Sequence, residues 1–184
     1  MSINTQDPSE NNQKSRAPFF NTKTLTLMGL LIALEIVLSR FLSINAWNIR
    51  IGFSFVPIAA AGMLLGPIPA GIVAAAADIL GATLFPSGPF FPGFTLTAFL
   101  TGTVLGVFLY KKHTPLRILC AVLINQMVFS LLLNSFWISI VYGSPYLPLV
   151  GTRVIQTALL IPVQFVVIGA LTRALAGRIR MVTA

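Results

Sequence analysis

Cut at its charges, prolines and glycines, the chain falls into six apolar runs, at about 24–44, 50–65, 69–85, 94–110, 116–141 and 149–172. A helix needs about 20 apolar residues to cross a hydrocarbon core of roughly 30 Å, and most of the runs approach that length. None shows the short alternating segments of about ten residues that a membrane β-barrel requires. The pattern therefore predicts an all-α integral membrane protein, a compact bundle of six transmembrane helices. The second run is the weakest. "IGFSFVPIAAAGMLL" would rise only about 22 Å as a straight helix, so it must be sheltered by neighbours or thin the bilayer, and Pro57 is expected to kink it.

Composition agrees with that reading. The 184 residues are 56% hydrophobic and only 9% charged, against about 25% charged in soluble domains. Residues 1–22 are polar and lack an apolar signal-peptide core, which marks a disordered N-terminal arm. The membrane domain is expected over 23–175 and a basic tail over 176–184. The one cysteine, Cys120, lies in an apolar run and can form neither an intramolecular disulfide nor a metal cluster.

Charge placement sets the expected orientation. Lys14, Arg16 and Lys23 precede the first helix, Lys111, Lys112 and Arg117 separate the fourth from the fifth, and Arg173, Arg178 and Arg180 follow the sixth. Six passes put these on one side, so both termini are expected in the cytoplasm of a multi-pass cell-membrane protein. The net charge of +8 is then largely a topology signal in contact with the bilayer, and nucleic acid need not be invoked.

Arg40, Arg50 and Arg153 break the bias, because all three fall on the opposite, outer side. Arg40 ends the first helix, Arg50 is expected to open the second, and Arg153 lies in the first turns of the sixth. Each alone reads as an anchor whose guanidinium snorkels to the interface. Together in one outer cavity they would bind carboxylate or phosphate. The same side carries "SINAWNIR" (43–50), "VYGSPYLP" (141–148) and the stiff, uncharged "FPSGPFFPGF" (85–94). Prolines and glycines fix that last loop, so Phe91 and Phe94 can stack on a flat ligand; the plainer reading is an interfacial aromatic belt. Asn48 and Trp137 join them as candidate substrate contacts.

Two acids lie inside membrane segments, Glu35 and Asp78. Each would cost about 2.5 to 3.5 kcal/mol unpaired at a helix centre. Asp78 either bridges to Arg50 or accepts hydrogen bonds from a ligand's N–H groups. Glu35 is five residues from Arg40, on another face of the helix, and reads as bundle packing or a partner for Gln156 or Gln164. Asn125, Gln126 and Asn134 suit interhelical hydrogen bonds or cavity lining, the former being plainer. His113 reads as a solvated residue, not a metal ligand. The chain has no P-loop motif and no Ser/His/Asp or paired-histidine constellation, so no catalytic residue, cofactor or metal is expected.

The small pair Gly29 and Ala33 in "GLLIA", the segment "RIGFSFVPIAAAGMLLGPIPAGIVAAAADILG" and the following "GPFFPGFTL" carry a resemblance. Over residues 24–175 the chain resembles the substrate-binding S component of an energy-coupling factor vitamin transporter, in its folate-specific branch. The resemblance implies a receptor that captures folate from outside and docks, through the face carrying Gly29 and Ala33, on a transmembrane coupling protein with two cytoplasmic ATPases. It also implies that folate's two carboxylates suit the arginines, its pterin the phenylalanines, and the pterin's amino-pyrimidine edge a carboxylate such as Asp78. The rival readings are an S component for another anionic vitamin such as pantothenate, and a membrane enzyme acting on an anionic lipid. The latter generally needs several clustered acids.

Overall fold

A computed structural model describes residues 21–182 except 42, 47–48, 87 and 111–113, with backbone alone at 44–46, 49–51 and 176–182. Its order is helix α1 (Thr22–Arg40), strands β1 (Ile44–Ala46) and β2 (Ile49–Ile51), then helices α2 (Phe55–Leu65), α3 (Pro67–Leu84), α4 (Pro92–Leu109), α5 (Pro115–Tyr142) and α6 (Tyr146–Val182). Five of the six helices are long and apolar enough to cross a membrane; α2 is the short one. The bundle is the expected one, with corrections at Arg50 and Pro57. Arg50 does not open the second helix. It lies in β2, paired with Asn45 of β1 in an antiparallel ribbon.

Pro57 does not kink α2 either, because the helix starts at Phe55 and proline in a first turn removes no intrahelical hydrogen bond. The shelter expected for this short helix is present: Ala59 and Ala61 are fully buried and Met63 nearly so. Gly66, at φ 93°, turns the chain sharply between α2 and α3, and Pro67 starts the next helix at a position suited to its fixed φ.

Lipid gives helices no hydrophobic reason to associate, so close backbone packing must supply the attraction. In α2, α3 and α4 it does. A Cβ on Gly62 would stand 2.9 Å from the Gly106 nitrogen, and one on Gly106 would strike the Pro67 backbone. Helices α5 and α6 join this layer through Ile118, Ala121, Val122 and Ile168, which pack with Ala59, Met63, Leu105 and Leu109. α1 adds Leu31 against Ala61, Ala70 and Val73.

Helix α5 changes geometry midway. Pro115–Leu123 is α-helical, Ile124–Leu133 is a π-helix and Asn134–Tyr142 is α-helical again. π geometry is rare beyond single turns and is frequent at functional sites.

Candidate functional site

A cavity of about 620 Å³ opens where α1 ends, α2 begins, α3 ends, α4 begins, α5 ends and α6 begins. The described basic residues Lys23, Arg117 and Arg173 lie near the start of α1, the start of α5 and the far part of α6, at the other end of the bundle. The cavity therefore lies at the end of the bundle opposite these three residues.

Arg40 and Arg153 both line the cavity. The Arg40 guanidinium lies over Gly81 of α3, where a Cβ would stand 3.1 Å from Nε. Glycine leaves room for it. Arg153 is only 7% exposed, so it is buried in the bundle and is not a snorkelling anchor. Its Nη1 donates to the Ser130 carbonyl and to the Ser135 hydroxyl, both at 3.4 Å. Both acceptors are neutral, so they satisfy hydrogen bonds without cancelling the charge. A cation held this way in a low-dielectric cavity attracts an anion. The side chain of Arg50 and all of Asn48 lie outside the described residues.

Asp78 lines the same cavity from α3. The Thr95 hydroxyl, in the first turn of α4, donates to its Oδ2 at 2.8 Å. That bond fixes the carboxylate and leaves its other oxygen for a further donor. Glu35 is also buried at the cavity wall, with Gln156 and Gln164 lining the same space, which agrees with the polar company expected for it.

The stiff loop forms part of the wall through Gly88, Pro89, Phe90 and Phe91, and Phe94 continues it into α4. Gly88 sits against the end of α5, where a Cβ would stand 2.8 Å from the Tyr142 hydroxyl. Phe91 and Phe94 pack edge-on, with ring centroids 6.3 Å apart. Trp137 does not line the cavity itself. It stands behind Phe91 at 5.4 Å and donates its indole N–H to Thr97 Oγ1 at 3.0 Å, while Thr97 donates to the Gly93 carbonyl. Gly93 is where the two rings converge, since a Cβ there would stand 2.6 Å from each. The tryptophan thus supports the aromatic wall from behind.

Asn125, Gln126 and Asn134, read from sequence more readily as interhelical glue, all line the cavity together with Phe129 and Ser130. The physical reason is the π segment. Nine residues separate Asn125 from Asn134, about 2.5 turns of an α-helix and hence opposite faces. In a π-helix the same nine residues make about two turns, which returns both to one face.

Residues 23–177 match the family described as "ECF transporter, substrate-specific component". The chain belongs to this family of S components. Among curated relatives, the folate transporter FolT of Clostridium novyi (strain NT) is 45% identical over 142 residues, covering 77% of this chain and 83% of that one. A folate transporter FolT of Leuconostoc mesenteroides subsp. mesenteroides is 30% identical over 154 residues, covering 80% of this chain and 83% of that one. Among solved structures, a crystal structure of FolT bound with folic acid superposes with TM-score 0.80 at 38% identity, covering 84% of this chain and 95% of that one.

For an S component the outer surface of the bundle matters as well as the cavity. Gly29 and Ala33 are both exposed on α1, and a Cβ on Gly29 would meet nothing within 4 Å. Among the described residues the pair faces outward and packs no other helix.

Proposed function

We propose that this S component is a membrane receptor that binds folate and delivers it through an ECF transporter. The observation that carries the reading is the likeness, across most of both chains, to a FolT solved with folic acid. The cavity has the chemistry for such a ligand. Arg40 and Arg153 take the carboxylates, Phe91 and Phe94 stack on the flat ring with Trp137 stiffening them, and the free oxygen of Asp78 accepts a ligand N–H. Arg50 and Asn48 belong to the ribbon region at the same end and are proposed as further contacts. In the membrane both termini face the cytoplasm, so the cavity faces out. The exposed pair Gly29 and Ala33 is the docking face for the transmembrane coupling protein, whose two ATPase partners supply the energy this chain has no motif to obtain.

Calorimetry on the purified chain with folic acid and with pantothenate tests the reading. Saturable folic acid binding with no response to pantothenate is expected. The reverse preference would reassign the chain to another anionic vitamin.

A further inference from the structure

A second groove, of about 380 Å³, lies at the basic end of the bundle, between the start of α5 and the far part of α6. α6 lines it with Phe165, Val166, Gly169, Ala170, Thr172 and Arg173, and α5 faces them with Pro115 and Ile118. Ile118 and Phe165 form the inner wall, since both pack into the apolar core. Val166 and Ala170 are exposed, so the groove opens sideways toward the bilayer. Gly169 keeps it clear, because a Cβ there would meet nothing within 4 Å. The buried Thr172 hydroxyl donates to the Gly169 carbonyl at 2.7 Å, which engages its one donor inside the helix.

An arginine that merely snorkels to the interface needs no groove beside it. Here the apolar strip runs from Phe165 to Arg173, eight residues and about 12 Å along α6, and ends on a guanidinium. Arg117, exposed in the first turn of α5 beside Pro115, adds a second cation near that end. Neither has an acid to meet: among the described residues the acids are Glu35 and Asp78, and both line the cavity at the other end. The fitting occupant is apolar along its length and anionic at its head. An acidic phospholipid is both; inorganic phosphate has only the head, and a second copy of this chain would bring the same positive charge.

We propose that this groove is a binding site for one anionic phospholipid of the adjoining leaflet, its phosphate on Arg173 and an acyl chain laid past Gly169 toward Phe165. Basic pockets between transmembrane helices hold acidic headgroups by this pairing of charge. The assignment does not depend on which vitamin the cavity takes. A lipid seated here touches both α5 and α6, and because it binds only the folded bundle it stabilises that bundle.

The test uses the purified full chain and its Arg173→Gln and Gly169→Leu variants, with phosphatidylglycerol, phosphatidylcholine and inorganic phosphate as probes. Native mass spectrometry counts the lipid retained, and melting curves in detergent read the stabilisation. The wild type is expected to keep one phosphatidylglycerol in preference to phosphatidylcholine, to melt higher with it, and to ignore inorganic phosphate. Arg173→Gln should weaken phosphatidylglycerol binding roughly tenfold, and Gly169→Leu should exclude it by filling the groove. Both variants should melt without lipid as the wild type does. If Gly169→Leu does not fold, Ala170→Phe, at the exposed edge of the groove, is read the same way. Equal retention of the two lipids, or retention that no variant alters, overturns the assignment and leaves ordinary bilayer contact. Stabilisation by inorganic phosphate equal to that by phosphatidylglycerol also overturns it, in favour of a simple anion site. A dimer that Gly169→Leu disperses gives the groove to a second copy. Failure of the wild type to bind folic acid would overturn the folate reading and leave this one standing.

Discussion

Where α2, α3 and α4 meet, the helices touch backbone to backbone through Gly62, Gly102 and Gly106, with no polar side chain between them at those points. Where α5 and α6 face that layer, the helices stand apart around a cavity into which Arg153, Asn125, Gln126, Gln156 and Gln164 project, all of them buried. At these points the first region is held by close van der Waals contact, which a membrane requires in place of a hydrophobic drive. The second gives up that contact and keeps desolvated polar groups around the cavity. One chain thus divides its labour, with a tight layer as scaffold and a loose, polar wall as receptor. The division predicts opposite consequences for mutation on the two sides.

The largest effect on the isolated chain is expected in the tight layer. Gly106→Leu would drive a side chain into the Pro67 backbone, which cannot yield as a flexible side chain could. Overpacking typically costs about 1 to 3 kcal/mol, and collision with backbone belongs at or beyond the upper end. Thermal unfolding in detergent should show a severely destabilised or unfolded protein. A variant that melts normally would mean that the close approach of α3 and α4 is not what holds this layer together.

The receptor side should respond the other way. Arg153→Ala removes a buried guanidinium whose described partners, the Ser130 carbonyl and the Ser135 hydroxyl, leave its charge uncompensated. Folding should survive, since deleting such a charge relieves desolvation. Losing a charge-assisted contact of about 1.5 to 3 kcal/mol should weaken folic acid binding about tenfold to more than a hundredfold. Arg153→Lys should restore little, because an ammonium cannot bind a carboxylate bidentately. Calorimetry and a melting curve on the same samples check both halves. A drop in melting temperature with unchanged affinity would make Arg153 part of the scaffold.

The scaffold was more legible in the sequence than the receptor wall, for physical reasons. Apolar runs bounded by Pro and Gly mark spanning helices whatever their neighbours do, and five of the six approximate the observed elements. Helix order alone brings Arg40, Arg153 and the phenylalanine loop to one end. The ribbon is not among the expected elements because Ile44, Arg50 and Ile51 fall in the flanking apolar runs and its other residues in the short connection between them. Its signal was present, however, as Ile44-Asn45-Ala46 and Ile49-Arg50-Ile51, apolar-polar-apolar on either side of a two-residue gap. The π segment has no compositional mark. Only Asn134, half a turn round an α-helix from Asn125, hints at a wider helix. The supporting role of Trp137 depends on Gly93, Thr97 and Phe91 converging on it, which no linear pattern reveals.

The smallest effect on the isolated chain is expected on a third surface that belongs to neither region. Gly29 and Ala33 lie four residues apart on α1, both exposed, and together they leave a shallow groove on the outside of the bundle. A tryptophan at Ala33 would project away from the tight layer and away from the cavity. Had this groove packed another helix of the same chain, the substitution would overfill it and lower stability and binding together. On an outward face it should do neither, so Ala33→Trp is expected to melt and bind folic acid as the wild type does. Its effect should appear only where a second helix backbone must approach closely, which small residues permit and an indole blocks. Folate uptake by cells and copurification with the transmembrane coupling protein should therefore be lost while the receptor stays loaded. Uptake at the wild-type rate would free this face from any part in docking and leave it as a surface that meets lipid alone.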